Sequence, residues 1–209
     1  MSGAHDERAG AVDPENRLLW RMNRRRLDAE ALRDSMLAIS GQLHESSGGP
    51  ALPLEFLENV GNIDPKNVNP PSFSLSKWRP EQARQRTIYL PIIRSAAQPG
   101  PAELRNVFDF PQPAEFAGQR STTAVPTQAL FLLNSPAVKQ HAARLAAQIR
   151  DAAAEDVARL ELLWLRALNR PLTPDEKQKA QAFVAGAGEE GWVELCHALL
   201  ATTEFLMTL

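Results

Sequence analysis

Arg86, Tyr89, Arg94, Asp109, Arg120, Thr123, Gln128 and Asn134 are the residues of this chain with the chemical variety to form a site. Guanidinium groups hold anions, a carboxylate accepts protons or hydrogen bonds, and hydroxyl and amide groups orient a polar ligand. A cleft built from them would hold a small polar ligand or a glycan, or serve an accessory hydrolase or a redox-associated domain. They also border a very apolar stretch, Gln128 to Leu133, and are spread over proline-rich segments. Irregular backbone inside a fold needs side chains to satisfy its N–H and C=O groups. The sequence favours that structural role over a ligand pocket.

The other chemistry-bearing residues form no pattern. His5, His44, His141 and His197 show none of the His-x-x-x-His or His-Glu-x-x-His spacings of a metal site. His141 reads as a surface residue in mid-helix, and His197 as a satisfied core group. The single cysteine, Cys196, excludes an internal disulfide, a thiolate zinc site and a Cys-x-x-Cys-His haem attachment within the chain. It reads as a small buried hydrophobe. Cys196 and His197 are adjacent on a helix and point about 100° apart, so they do not form a dyad. There is no Gly-x-Ser-x-Gly elbow, and the glycine clusters lack the lysine and the strand–loop–helix setting of a phosphate loop. No metal or cofactor is expected.

The chain is 209 residues long and 44% hydrophobic, enough for one domain with a real core. It has no apolar run of about 18 residues, which argues against membrane insertion. The first residues are polar and lack the apolar region of a secretory signal. The net charge of −2 gives no global pull toward nucleic acid. Arg21, Arg24, Arg25 and Arg26 form a basic cluster, but Asp28, Glu30 and Asp34 follow and no aromatic interleaves the arginines. Pairing with carboxylates inside the chain is the better account, and no nucleic-acid partner is expected. Residues 51–150 carry 11 basic and 7 acidic groups, and residues 151–209 carry 5 and 10, so the middle and the tail are opposite in sign.

The elements that must position these residues are helices. Residues 1–12 read as a disordered tail, and 13–209 as a single helical domain. Asp13-Pro14-Glu15 is a helix-start signal, with an acid to cap and a proline in the first turn. A helix is expected from Arg25 to Gln42, with Leu32, Met36, Ile39 and Leu43 as its apolar stripe. Gly41, or Gly48-Gly49, ends it. Residues 44–120 read as irregular loops punctuated by Pro and Gly. Within them Arg86–Arg94 is a short extended or edge β segment, since Pro91 forbids a central strand. A short helix spans 101–108.

Thr122 and Thr123 precede a helix over 128–133, opened by Pro126 and stopped by Asn134-Ser135-Pro136. Leu130, Phe131 and Leu133 are expected among the most buried residues. Further helices follow over 136–150 and 155–169. The last two run from Thr173, in a capping box with Glu176, to Ala185, and from Gly191 to the C-terminus. Short connections make these antiparallel neighbours in a bundle.

Several phrases carry a resemblance: DPENRLLWRMNRRRLDAEALRDSMLAISGQL, RTIYLPIIR, FDFPQP, RSTTAVPTQALFLLNSP, LWLRALNRPLTPDE and WVELCHALLATTEFL. In this order they resemble the C-terminal planctomycete domain of unknown function, over roughly residues 13–207. In that family the domain commonly follows a planctomycete-type cytochrome c module and a second uncharacterised domain. The resemblance implies that the chain is the C-terminal part of a larger protein, with an extracytoplasmic setting. It implies contact with the family's upstream domains or with another protein. The family's own domain normally begins upstream of the Asp13 phrase, so an exposed apolar patch is expected at Leu18, Leu19, Trp20 and Met22. No catalytic residue is established for the family, and without the haem cysteines redox chemistry does not transfer.

The sequence thus predicts a mainly α fold with long Pro/Gly-rich loops, a C-terminal antiparallel bundle, and at most a short β segment near 86–94. Its expected role is a non-catalytic structural or interaction module.

Overall fold

The apolar stripes predicted by helical spacing become the core. In the computed structural model, which describes residues 6–44, 48, 57–58, 72–73, 83–90, 92, 102–112 and 115–208, the chain is mainly α. Helix α1 (Glu7–Val12) is followed by β1 (Arg25–Arg26) and α2 (Ala29–Ile39). Strands β2 (Leu57–Glu58) and β3 (Ser72–Phe73) pair antiparallel, and a 3-10 turn covers Thr87–Tyr89. Helices α3 (Ala102–Val107), α4 (Pro126–Asn134), α5 (Pro136–Ala152), α6 (Asp156–Leu168) and α7 (Pro174–Leu200) complete the fold, with β4 (Met207–Thr208) beyond them.

The core lies where α2, α5, α6 and α7 meet. Leu32 and Met36 of α2, Val138, Leu145 and Ile149 of α5, and Leu160 and Leu163 of α6 are fully enclosed, as are Cys196 and Leu200 of α7. Their spacing on each helix is three, four or seven residues, so each helix presents one apolar side inward. The links at 153–155 and 169–173 are short, and the C-terminal helices fold back on one another as a bundle. The α7 capping box is formed: Thr173 Oγ1 accepts from Glu176 N–H, and Glu176 accepts from Thr173 N–H. Arg170 braces this end by pairing with both Glu176 and Glu204, at 2.7 and 2.6 Å. Gly188, at φ 62° and ψ −144°, interrupts α7, at the place where two separate helices were expected.

Several expectations are corrected. The tail carries helix α1, capped by the Asp6 carboxylate on the N–H groups of Arg8 and Ala9, although it buries nothing. Asp13 starts no helix. Its carboxylate accepts from Arg17 and Leu18 N–H at 3.0 and 2.7 Å, too far along the chain for a helix cap. Asn16 and Leu19 adopt left-handed backbone, φ 56° and 57°, and the segment becomes a knot of turns. Leu18, Leu19 and Met22 are exposed on it, and Trp20 is half-buried with its Nε1–H on Asp13 O.

Helix α2 begins at Ala29, not Arg25. Asp28 caps it through Ala31 N–H, and the two preceding arginines pair as β1 with β4, Arg25 to Thr208 and Arg26 to Met207. The C-terminus is therefore a turn and a strand rather than helix to the end. The extended segment predicted over 86–94 is a 3-10 turn in its described part, and the strands lie elsewhere. Pro91, Ile93 and Arg94 lie outside the described residues.

The face of α4 is also corrected. Leu132 is 0% exposed and Gln128 is buried, whereas Leu130 is 57% and Leu133 51% exposed. Phe131 is partly buried and meets Phe108 edge-to-face, with centroids 6.0 Å apart. Among the described residues no helix is long and apolar enough to cross a membrane.

Candidate functional site

Helix α2 positions two different sets of polar groups. Its outward edge carries Asp28, Glu30 and Asp34, and the buried Arg33 stands beside Asp34, with Nη1 3.4 Å from its Oδ1. A cleft of about 1090 Å³ runs along the outward edge, bounded by the 3-10 turn and by Phe110 and Arg120. Of the residues singled out from sequence, Arg86, Tyr89 and Arg120 line it.

Asp34 anchors the 3-10 turn to α2. Its Oδ1 accepts from Thr87 N–H at 2.8 Å and Thr87 Oγ1 at 2.6 Å, and its other oxygen lies 3.6 Å from Arg86 Nε. Beneath it Arg33 donates to Gln85 O at 2.9 Å, to Thr87 Oγ1 at 3.0 Å and to Ala83 O. Burial lowers the Arg33 guanidinium to about 10, so it stays cationic at neutral pH. Arg33 is 4% exposed, and its donors satisfy the carbonyl groups of Ala83 and Gln85.

Arg120 closes the other end. It grips Glu30 with two parallel bonds of 2.9 and 2.7 Å, which raise its pKa, and Asp28 lies 3.7 Å away. Phe110 receives the guanidinium groups of both Arg105 and Arg120, 5.5 and 5.8 Å from its ring centroid. Arg105 is itself buried, which lowers its pKa against the pull of Glu30.

Asp109, Thr123 and Gln128 sit away from this cleft and hold a different joint. Asp109, at φ 58°, accepts from Arg26 Nη2 at 2.5 Å, from Thr123 N–H at 2.8 Å and from Thr123 Oγ1 at 2.8 Å. Gln128 Nε2 donates to Val107 O at 3.1 Å and to Thr123 Oγ1 at 3.3 Å. Thr123 precedes α4 but does not cap it. The N-cap is Val125, and no side chain caps the helix. Asn134 stands apart, exposed, with its amide on Leu130 O of its own helix. Among the described residues the predicted polar group is thus split between the cleft and the joint, with Asn134 in neither.

Sequence reasoning named Asp28, Glu30 and Asp34 only as acids for the arginine cluster, and passed over Thr87 and Phe110. The carboxylates were visible as a polar face of α2, but their partners are 50 or more residues away. No local spacing signals such pairs.

Cys196 and His197 are enclosed, and His141 is half-buried. His197 Nε2 lies 2.9 Å from Leu132 O, and burial pushes the Cys196 thiol up to about 12. His141 is not a surface residue: its Nδ1 is 2.9 Å from Ser40 Oγ. Burial, with Arg33 and Arg144 nearby, lowers it to about 4. Among the described residues no three His, Cys, Asp or Glu side chains converge on a metal position.

Residues 1–184 match the family model described as PSD1, a protein of unknown function (DUF1553). The chain belongs to this family. No curated protein and no solved structure matches it. The PSD1 match includes the whole cleft and the Asp109 joint and stops within α7.

Proposed function

We propose that this PSD1 chain is a non-catalytic interaction module that receives a partner protein along the cleft between α2 and the 3-10 turn. One observation carries the reading. The groups best suited to proton transfer or nucleophile activation are already bonded within the fold. Asp34 holds Thr87, Asp109 holds Arg26 and Thr123, and Glu30 holds Arg120. A general base needs a free lone pair aimed at its substrate, and these are aimed at the protein. The cleft rim, by contrast, displays Ile88 and Ile92 at 76% and 52% exposure beside Arg86. Apolar side chains next to an arginine are the composition of a contact surface.

A second reading, a glycan or polar-ligand cleft, is favoured by Tyr89 and Phe110 lining the same space as Asp28 and Arg120. Aromatic faces with carboxylate and guanidinium groups suit hydroxyl-rich ligands.

The test is a displayed-peptide selection and an oligosaccharide array, run beside esterase, glycosidase and phosphatase substrates. The interaction reading expects peptides whose binding is lost in Ile88→Asp, with no turnover. Oligosaccharide binding lost in Tyr89→Ala would favour the second reading. Turnover abolished by Asp34→Asn would overturn both.

A further inference from the structure

A second cavity, of about 600 Å³, lies on the other side of α2, between it, α3 and the start of α5. Its apolar wall is Met36, Leu37, Leu104 and Phe131. Its polar end carries a buried hydroxyl with no partner. Ser135 occupies the N-cap of α5 and is only 6% exposed, yet its Oγ makes no hydrogen bond. At α2 and α7 the cap side chain does bond: Asp28 takes Ala31 N–H and Thr173 takes Glu176 N–H. At α5 the first helical residue is Pro136, which has no N–H. Ala137 and Val138 follow, with no side-chain cap, and both line the cavity.

A buried hydroxyl and a free helix start are each costly in apolar surroundings, by about 1–3 kcal/mol for an unmet donor. They ask for an acceptor, and a helix start favours a negative one. Arg33 lines the same cavity as a buried cation. The exposed Arg84 and Glu103 offset each other in charge, and Arg33, which Asp34 approaches to 3.4 Å, is the buried charge of the wall. The volume falls in the ordinary range for small-molecule sites, about 300–1,000 Å³.

We propose that this cavity binds a small amphipathic carboxylic acid. Its carboxylate sits on Ser135 Oγ and the first amides of α5, and its apolar body lies against Met36, Leu37, Leu104 and Phe131. Ser135 is a binding residue, and the site is separate from the cleft on the outward edge of α2.

The experiment uses the full chain and three probes: 3-phenylpropionate, 3-phenylpropanol and inorganic phosphate. Calorimetric titration measures affinity, and amide chemical shifts locate the site. The expected result is saturable binding of 3-phenylpropionate, with the Ala137 and Val138 amides among those shifted most. The alcohol and phosphate should each bind at least about tenfold more weakly, the worth of one charge-assisted hydrogen bond or of the apolar body. Ser135→Ala removes no hydrogen bond of the fold, so it should melt no lower than the parent and bind the acid about tenfold more weakly. Equal binding of the alcohol would overturn the carboxylate assignment, and equal binding of phosphate the apolar one. Absence of saturable binding of the acid up to millimolar concentration, or shifts confined to other residues, would overturn the site. If Ser135→Ala melts lower, the amide shifts in the parent protein decide.

Discussion

Asp109 ties separate pieces of chain together. It accepts from Arg26 of β1 and from Thr123 ahead of α4, with side-chain exposures of 7% for Arg26 and 15% for itself. Removing one partner of such a pair leaves the other charge without solvent or partner. Asp109→Ala should therefore cost about 3 kcal/mol in urea denaturation. Asn134→Ala, which releases only a solvent-exposed bond within its own helix, should fall within about 0.5 kcal/mol of the parent. His141 sets a pH dependence. The fold holds it at about 4 against 6.5 for an unstrained histidine. Between those values the unfolded chain takes up the proton and the fold does not, so stability falls as the pH drops from 6.5 toward 4. Below 4 this residue adds no further loss. Each pH unit in the window is worth up to about 1.4 kcal/mol. Urea midpoints at pH 7 and pH 4.5 should differ less in His141→Gln than in the parent. Glu176, held well below its usual range by Arg170, contributes stability that goes at lower pH, as the medium falls below 4.5.

At the level of elements, the long helices were legible because their information is local. Val138, Leu145 and Ile149 repeat on α5, and Leu160, Leu163, Trp164 and Leu168 on α6, against polar residues that mark the other side. Helix α4 has no such contrast. From Ala129 to Leu133 every residue is apolar, so the sequence names a helix without naming its inner face. The structure turns Leu132 inward, against His197 and the core, and leaves Leu130 and Leu133 outside. Leu132→Ala should cost about 2–5 kcal/mol. Leu130→Ala and Leu133→Ala should each stay within about 0.5 kcal/mol by the same thermal or urea measurement. The N-terminal segment was misread for a related reason. Asp13 is a good acceptor for N–H groups, but a turn with Asn16 in left-handed backbone satisfies it as well as a helix start does. The candidate site was half legible. Arg86, Tyr89 and Arg120 do share a cleft, but the acids opposite them come from α2, and nothing in residues 28–34 announces the partners that close the chain around them.

In the molecule as a whole, the core depends on residues beyond the stretch that matches the PSD1 family. Cys196, Leu199, Leu200 and Phe205 all belong to the cluster that encloses Leu132, Ile149 and Leu160. A chain ended after residue 184 should keep helical signal in circular dichroism but lose its cooperative thermal transition. A sharp transition within a few degrees of the parent's would show that the last helix is dispensable. The pairing of β1 with β4 has a mechanical consequence. The two strands run antiparallel, with Arg25 opposite Thr208 and Arg26 opposite Met207, and Leu27 N–H continues the contact to Leu206 O at 2.8 Å. The chain before Arg25 and the chain after Thr208 therefore leave from the same end of this short ladder. A force drawing those two segments apart loads one rung at a time instead of all together. The ladder opens like a zip, under low tension, and the helices behind it bear load only after it has parted.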